Sequence, residues 1–114
     1  MEKMIYEEIA KIIEAEGIIV QDTEKLAFIP NSVYLNQLST SPLRFGQSIT
    51  VEMVVLDDKD VKHLYEIIVQ AIGTRGTFGE YVVKRITYSP ENPKEALDKI
   101  WAVRCMINLT VEEV

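Results

Sequence analysis

The chain has 114 residues, 47% hydrophobic and 26% charged, a balance that suits one globular domain spanning 1–114 and excludes a disordered tail or two independent domains. A single cysteine, Cys105, and a single histidine, His63, exclude an internal disulfide and any four-ligand zinc site that does not recruit several carboxylates. Twelve Lys and Arg against 18 Asp and Glu leave a formal charge of -6, which argues against a groove that holds nucleic acid by counterion release. The first ten residues carry three glutamates and a lysine, so they lack the apolar core of a signal peptide, and no run approaches the ~18 apolar residues of a membrane span. The expectation is a chain made in the cytoplasm, with its cysteine reduced.

In chain order, Ile5, Ile9, Ile12 and Ile13 recur at helical spacing while Glu7, Glu8, Lys11 and Glu14 fill the other side, which predicts an amphipathic helix ended by Gly17. Ile18 to Val20 suits a short strand, followed by a turn at Asp22 to Lys25. Asn31 to Leu38, entered through Pro30, reads as a strand, and Ser39 to Ser48 as a loop. Ile49 to Leu56 alternates as a strong strand. Asp57 or Asp58 then supplies an N-cap for a helix running to Ile72, whose stripe is Val61, Leu64, Tyr65, Ile68 and Ile72, with Gly73 as its C-terminal cap. Gly73 to Glu80 reads as a flexible loop and Glu80 to Tyr88 as a strand. Pro90 and Pro93 break the connection, and Lys94 to Lys99 suggests a helical turn. Ile100 to Val111 is the longest period-two run and belongs near the middle of a sheet. The fold class expected is α+β, with a single mostly antiparallel sheet and two main helices packed on one face.

Candidate chemistry is thin. His63 lies off the apolar stripe of its helix and has no nucleophile at a recognisable spacing, so it reads as solvent-facing. Cys105 falls between Val103 and Ile107 on an apolar strand face, where a thiol packs as a small hydrophobe. Asp57, Asp58 and Asp60 lack the glycine and terminal glutamate of an EF-hand, and helix capping explains them without a metal. The glycine-rich stretch from Gly73 to Gly79 follows a helix and precedes a strand, the reverse of a phosphate-binding loop. No metal, cofactor or catalytic set is expected, and the chain does not read as an enzyme. Leu43, Arg44 and Phe45 stand in a polar setting, where an interface patch and a loop folded back onto the core are equal accounts.

The order of elements does resemble a known family. An N-terminal amphipathic helix, the Pro-led strand Ile29-Pro30-Asn31-Ser32-Val33-Tyr34-Leu35, a long strand running into a helix from Ile49 to Ile72, and a long final strand resemble the tail terminator proteins of long-tailed phages, and their relatives among minor tail and head–tail joining proteins. The resemblance spans nearly the whole chain. It implies a structural subunit that assembles into a hexameric ring, caps the tail tube and joins it to the head. The implied partners are further copies of the chain, the tail tube protein and the head–tail connector, with DNA only passing through. The implied location is the virion tail, after assembly in the host cytoplasm. Matched by place, the loops Ser39 to Gln47 and Thr74 to Glu80 become the contact regions, with Leu43, Arg44, Phe45, Arg75 and Phe78 as interface residues. Rings close through heterologous contacts that sheet edges, loops and complementary charges can provide, and net negative charge suits a bore through which DNA must not stick. The competing reading is a small ferredoxin-like ligand-binding or regulatory domain acting as a dimer, motivated by the strand–helix–strand passage from Ile49 to Tyr88.

Overall fold

The computed structural model describes residues 5–21 and 27–113, so the turn expected at Asp22 to Lys25 lies outside the described residues. Its elements are α1 (Ile5–Ala15), β1 (Ile19–Gln21), β2 (Ser32–Leu43), β3 (Gly46–Asp57), α2 (Val61–Gly73), β4 (Thr77–Phe78), β5 (Tyr81–Pro90), β6 (Lys94–Leu97) and β7 (Ile100–Glu113). The fold is α+β. Seven strands form one sheet in the order β1-β2-β3-β7-β5-β4, with β6 also pairing β7. Every pairing is antiparallel except that of β1 with β2.

The alternation of β7 places it in the interior of the sheet, between β3 and β5. Its Val103, Cys105, Ile107, Leu109 and Val111 are all buried, and they meet Val33 and Leu35 from β2 and Ile49, Val51, Met53 and Val55 from β3. Onto this face α1 lays Ile5, Ile9 and Ile13, and α2 lays Val61, Leu64, Ile68 and Ile72. Burial of that many aliphatic side chains, each worth about 1.5–3 kcal/mol, is the main stabilising contribution. Trp101, paired with Asp57 and Glu95, begins the same alternation but stays 41% exposed.

Helix ends and turns follow local chemistry. The N-cap of α2 is Asp60, whose carboxylate accepts from the His63 N–H at 3.0 Å. This corrects the assignment to Asp57 or Asp58: Asp57 instead closes β3, accepting from the backbone N–H groups of Asn31 and Asp60. Gly73 is the last residue of α2, and Thr74 is the C-cap in a right-handed conformation. Gly17 does end the α1 segment with φ of 78°. Asn31, at φ 54°, donates from its side chain to the Gly17 carbonyl, while its own carbonyl accepts from Ile19 N–H. One residue thereby ties the exit of α1 to the first three strands.

Two expected loops and an expected helical turn are extended instead. Residues 39–48 are not a loop, because β2 and β3 continue as a hairpin to a two-residue turn, Arg44-Phe45. The polar, Pro- and Gly-containing sequence hides this, since the distal half of β2 is exposed on both faces and carries no alternation. The stretch after α2 contains β4, paired with β5. Lys94 to Lys99 is not a helical turn: β6 pairs with β7 through a tight turn at Asp98-Lys99, both with positive φ, the mirror-image geometry that suits twisted hairpins. Because β5 ends opposite Cys105 and β6 starts opposite Ala102, the two line one side of β7 in succession, bridged by Glu91 N–H donating to the Arg104 carbonyl.

Candidate subunit interface

The hairpin of β2 and β3 projects its tip as the most exposed apolar feature of the molecule. Phe45 is 73% exposed, Leu43 is exposed at the same tip, and the Arg44 guanidinium sits 5.3 Å from the centre of the Phe45 ring. An arginine stacked on an aromatic ring is attracted to its π-face and presents a flat amphipathic surface, the composition enriched at protein contacts. Neither Arg44 nor Phe45 has a positive φ, so the turn is not of the mirror-image kind, and the hairpin is held at its base instead. That base is Gly46, packed against the backbone of Val111 at the end of β7.

The second expected contact region divides. Arg75 is exposed, and with Glu8, Lys11, Ile12, Thr77, Phe78 and Gly79 it lines an open cleft of about 260 Å³ between α1 and β4. Phe78 is 2% exposed and belongs to the core. Its burial has a simple cause: β4 pairs with Tyr81 and Val82 and turns the ring inward under α1, so Phe78 forms no part of an exposed patch. The structure therefore brings Leu43, Arg44 and Phe45 together at one tip and places Arg75 and the buried Phe78 together at the cleft by α1.

The face of the sheet without helices carries polar groups along its middle and buries Leu56 and Ile100 at one end. Arg104 bridges Glu52 at 2.6 Å and Glu91 at 2.7 Å, and these two carboxylates hold its guanidinium pKa above the ordinary value. Thr50 donates to Asn108 in the next strand at 3.0 Å. Among the described residues no three of His, Cys, Asp and Glu gather in a way that would hold a metal. No described helix is long and apolar enough to cross a membrane.

One buried polar group is out of balance. Cys105, fully buried, lies 3.7 Å from the Tyr65 hydroxyl, and burial pushes its thiol pKa up, away from thiolate chemistry. Burial likewise raises Tyr65, and pushes Tyr88 up to about 12. The Tyr88 hydroxyl is buried without a hydrogen-bond partner among the described residues. Leaving a buried hydroxyl unpaired costs about 1–3 kcal/mol, so Tyr88→Phe is expected to raise stability by roughly 1 kcal/mol in urea unfolding. A comparable loss in that measurement would mean that the hydroxyl has a partner.

Neither a protein-family model nor a curated protein sequence matches the chain. A solved structure does. The chain has the fold of a chain in the virion of a native gene transfer agent particle, with a TM-score of 0.54 at 9% identity, covering 95% of this chain and 91% of that one. At such low identity the likeness is one of fold.

Sequence reading names sheet edges as contacts in general but not which strands supply them, and these edges are the most extensive candidate surface. Pairing with β1 stops at Tyr34, and among the described residues no strand covers the outer side of β2 from Leu35 to Leu43. The signal was present as an absence: β2 has no charged residue in its 12 positions. Exposed edges are ordinarily blunted by charges, by Pro or by bulges; β2 has Pro42 and an irregularity between Gln37 and Ser39 but no charge to repel a neighbouring strand.

Proposed function

We propose that the chain is a structural protein of a phage-like virion, a tail terminator whose copies form a hexameric ring, cap the tail tube and join it to the head. The observation that carries this reading is the pairing of an uncharged open edge and a protruding Arg-Phe tip with a fold shared with a virion chain. A subunit that meets a different surface of its neighbour forms a heterologous contact, and such contacts build closed rings. The partners are then other copies of the chain, the tail tube protein and the head–tail connector, in a virion tail assembled in the host cytoplasm. A net charge of -6 favours free passage of DNA through the ring.

Negative-stain electron microscopy of the purified protein at high concentration, with and without magnesium, tests the reading. Six-fold rings are the expected particles, and a stable dimer as the sole species overturns it. The double substitution Arg44→Glu with Phe45→Ser is expected to abolish rings while leaving the unfolding midpoint nearly unchanged, since exposed positions contribute within about 0.5 kcal/mol. Rings undiminished in that variant would remove the hairpin tip from the interface.

A specific feature favours a second reading. β3, α2 and β5 form a split β-α-β unit with β7 between the two parallel strands, as in ferredoxin-like domains. A dimeric ligand-binding domain of that kind predicts a raised melting temperature with some metabolite, because a ligand that binds only the native state stabilises it. A broad screen without any shift counts against it.

A further inference from the structure

We infer that copies of this chain join by adding the outer edge of β2 in one subunit, antiparallel, to the outer edge of β5 in the next. The inference rests on the ring reading and specifies its contact. Three features of the sheet lead to it: what each edge carries, which way each strand runs, and how high along the molecule each edge lies.

The edge of β2 is uncharged from Ser32 to Leu43 and open beyond Tyr34. On the opposite side of the sheet β4 covers only Tyr81 and Val82, and Val83 N–H donates to the Gly76 carbonyl, so the outer edge of β5 is open from Lys84 to Pro90 among the described residues. That edge carries Lys84 and Arg85. Two β5 edges brought together would place like charges side by side, which is unfavourable, whereas the uncharged β2 accepts this edge without repulsion.

Direction agrees. β2 runs parallel to β7, since each is antiparallel to β3, while β5 runs antiparallel to β7. Rotating a copy about an axis along the strands leaves every strand direction unchanged. The β2 of one copy then meets the β5 of the next as an antiparallel pair, without inverting either subunit.

Height agrees as well. The paired rows cross the whole sheet: Leu35, Met53, Cys105 and Pro90 form one, and Ser39, Thr50, Asn108 and Thr87 another. Ser41, Ser48, Thr110 and Arg85 form a third. The two open edges therefore lie level, and a contact between level edges repeats by rotation with little rise, the condition under which a ring can close. Four strands per copy at about 4.8 Å spacing give six copies a backbone circumference of about 115 Å and a diameter of about 37 Å, wide enough for duplex DNA. The helices must then lie outside, and the polar face of Thr50, Asn108 and the Arg104 ion pairs lines the bore.

Cysteine cross-linking of the full chain tests the contact. Ser39 and Thr87 are exposed and share one row and one face, and cross-strand neighbours approach closely enough for a disulfide. Strand tilt shifts the register by an even number of residues, so Ser39→Cys is mixed in turn with Arg85→Cys, Thr87→Cys and Ser89→Cys protein under mild oxidation. The expected result is a cross-linked dimer in at least one mixture and in neither component alone, and a ladder of oligomers when both cysteines of that pair share one chain. Dimers of Ser39→Cys alone overturn the proposal in favour of a two-fold β2–β2 contact. Rings in the microscope without cross-linking in any mixture overturn the edge contact and leave the ring reading standing. Monomers at all concentrations by sedimentation overturn both.

Discussion

Gly46→Ala is expected to lower stability by about 2–3 kcal/mol, and the melting temperature by on the order of 10 °C, despite adding one methyl group near the surface. A Cβ at Gly46 would overlap the Val111 carbonyl oxygen and lie 2.9 Å from its carbonyl carbon. Both obstacles are backbone, so no rotamer change relieves them, and either the hairpin lifts from β7 or the end of β7 moves. Gly76→Ala is the control, because a Cβ there meets nothing within 4 Å. Equal unfolding midpoints for the two variants in urea would show that the hairpin base is not locked on β7. Since Gly46 also follows the Arg44-Phe45 turn, its substitution is expected to tilt the tip and to reduce ring formation at temperatures where the chain remains folded.

Phe78→Ala is expected to cost about 3–5 kcal/mol, the usual consequence of removing a buried aromatic ring and leaving a cavity. Phe45→Ala, at the exposed tip, is expected to stay within about 0.5 kcal/mol of the parent. Their effects on assembly should run the other way when measured below the melting point of the weaker variant: Phe45→Ala loses rings, whereas Phe78→Ala retains them in whatever fraction is folded. Denaturant unfolding and particle counts on the same samples separate the two roles. A Phe78→Ala chain as stable as the parent would return this ring to the surface, and an unchanged ring population for Phe45→Ala would take the tip out of the contact.

These two phenylalanines show where sequence reading succeeds and where it stops. Both stand among Gly, Arg, Thr and Ser, and nothing local distinguishes them. What buries Phe78 is a two-residue strand whose partner lies across a turn and whose cover is a helix more than sixty residues earlier, contacts that no window of sequence contains. By contrast β7 was legible because one face is buried along its length, and burial of one face writes period two into the residues. α1 and α2 were legible for the same reason at helical period. The distal half of β2 is exposed on both faces, so selection for a core leaves no mark there, and Ser, Thr and Pro read as a loop. β6 fails similarly: Lys-Glu-Ala-Leu is good helix sequence, and pairing with β7 overrides that preference. Of the candidate interface, the tip residues were visible as apolar side chains in polar surroundings, while the open edges depend on which strands lie beside which.

The interior place of β7 has a consequence for how the molecule comes into being. β3, β5 and β6 all pair with this strand, which follows them in chain order. During synthesis they emerge with no template to join them, and the apolar faces of α1 and α2 have only half a floor to rest on. The sheet can close only after residues 100–113 have left the ribosome, which makes folding a late event dominated by contacts distant in sequence. Throughout that interval the β2–β3 hairpin, with no charge on its outer strand β2, is the one long strand pair able to form early. Nascent copies on one messenger are therefore at their stickiest before they are native, and yield in cells should improve when translation is slowed or chaperones are abundant.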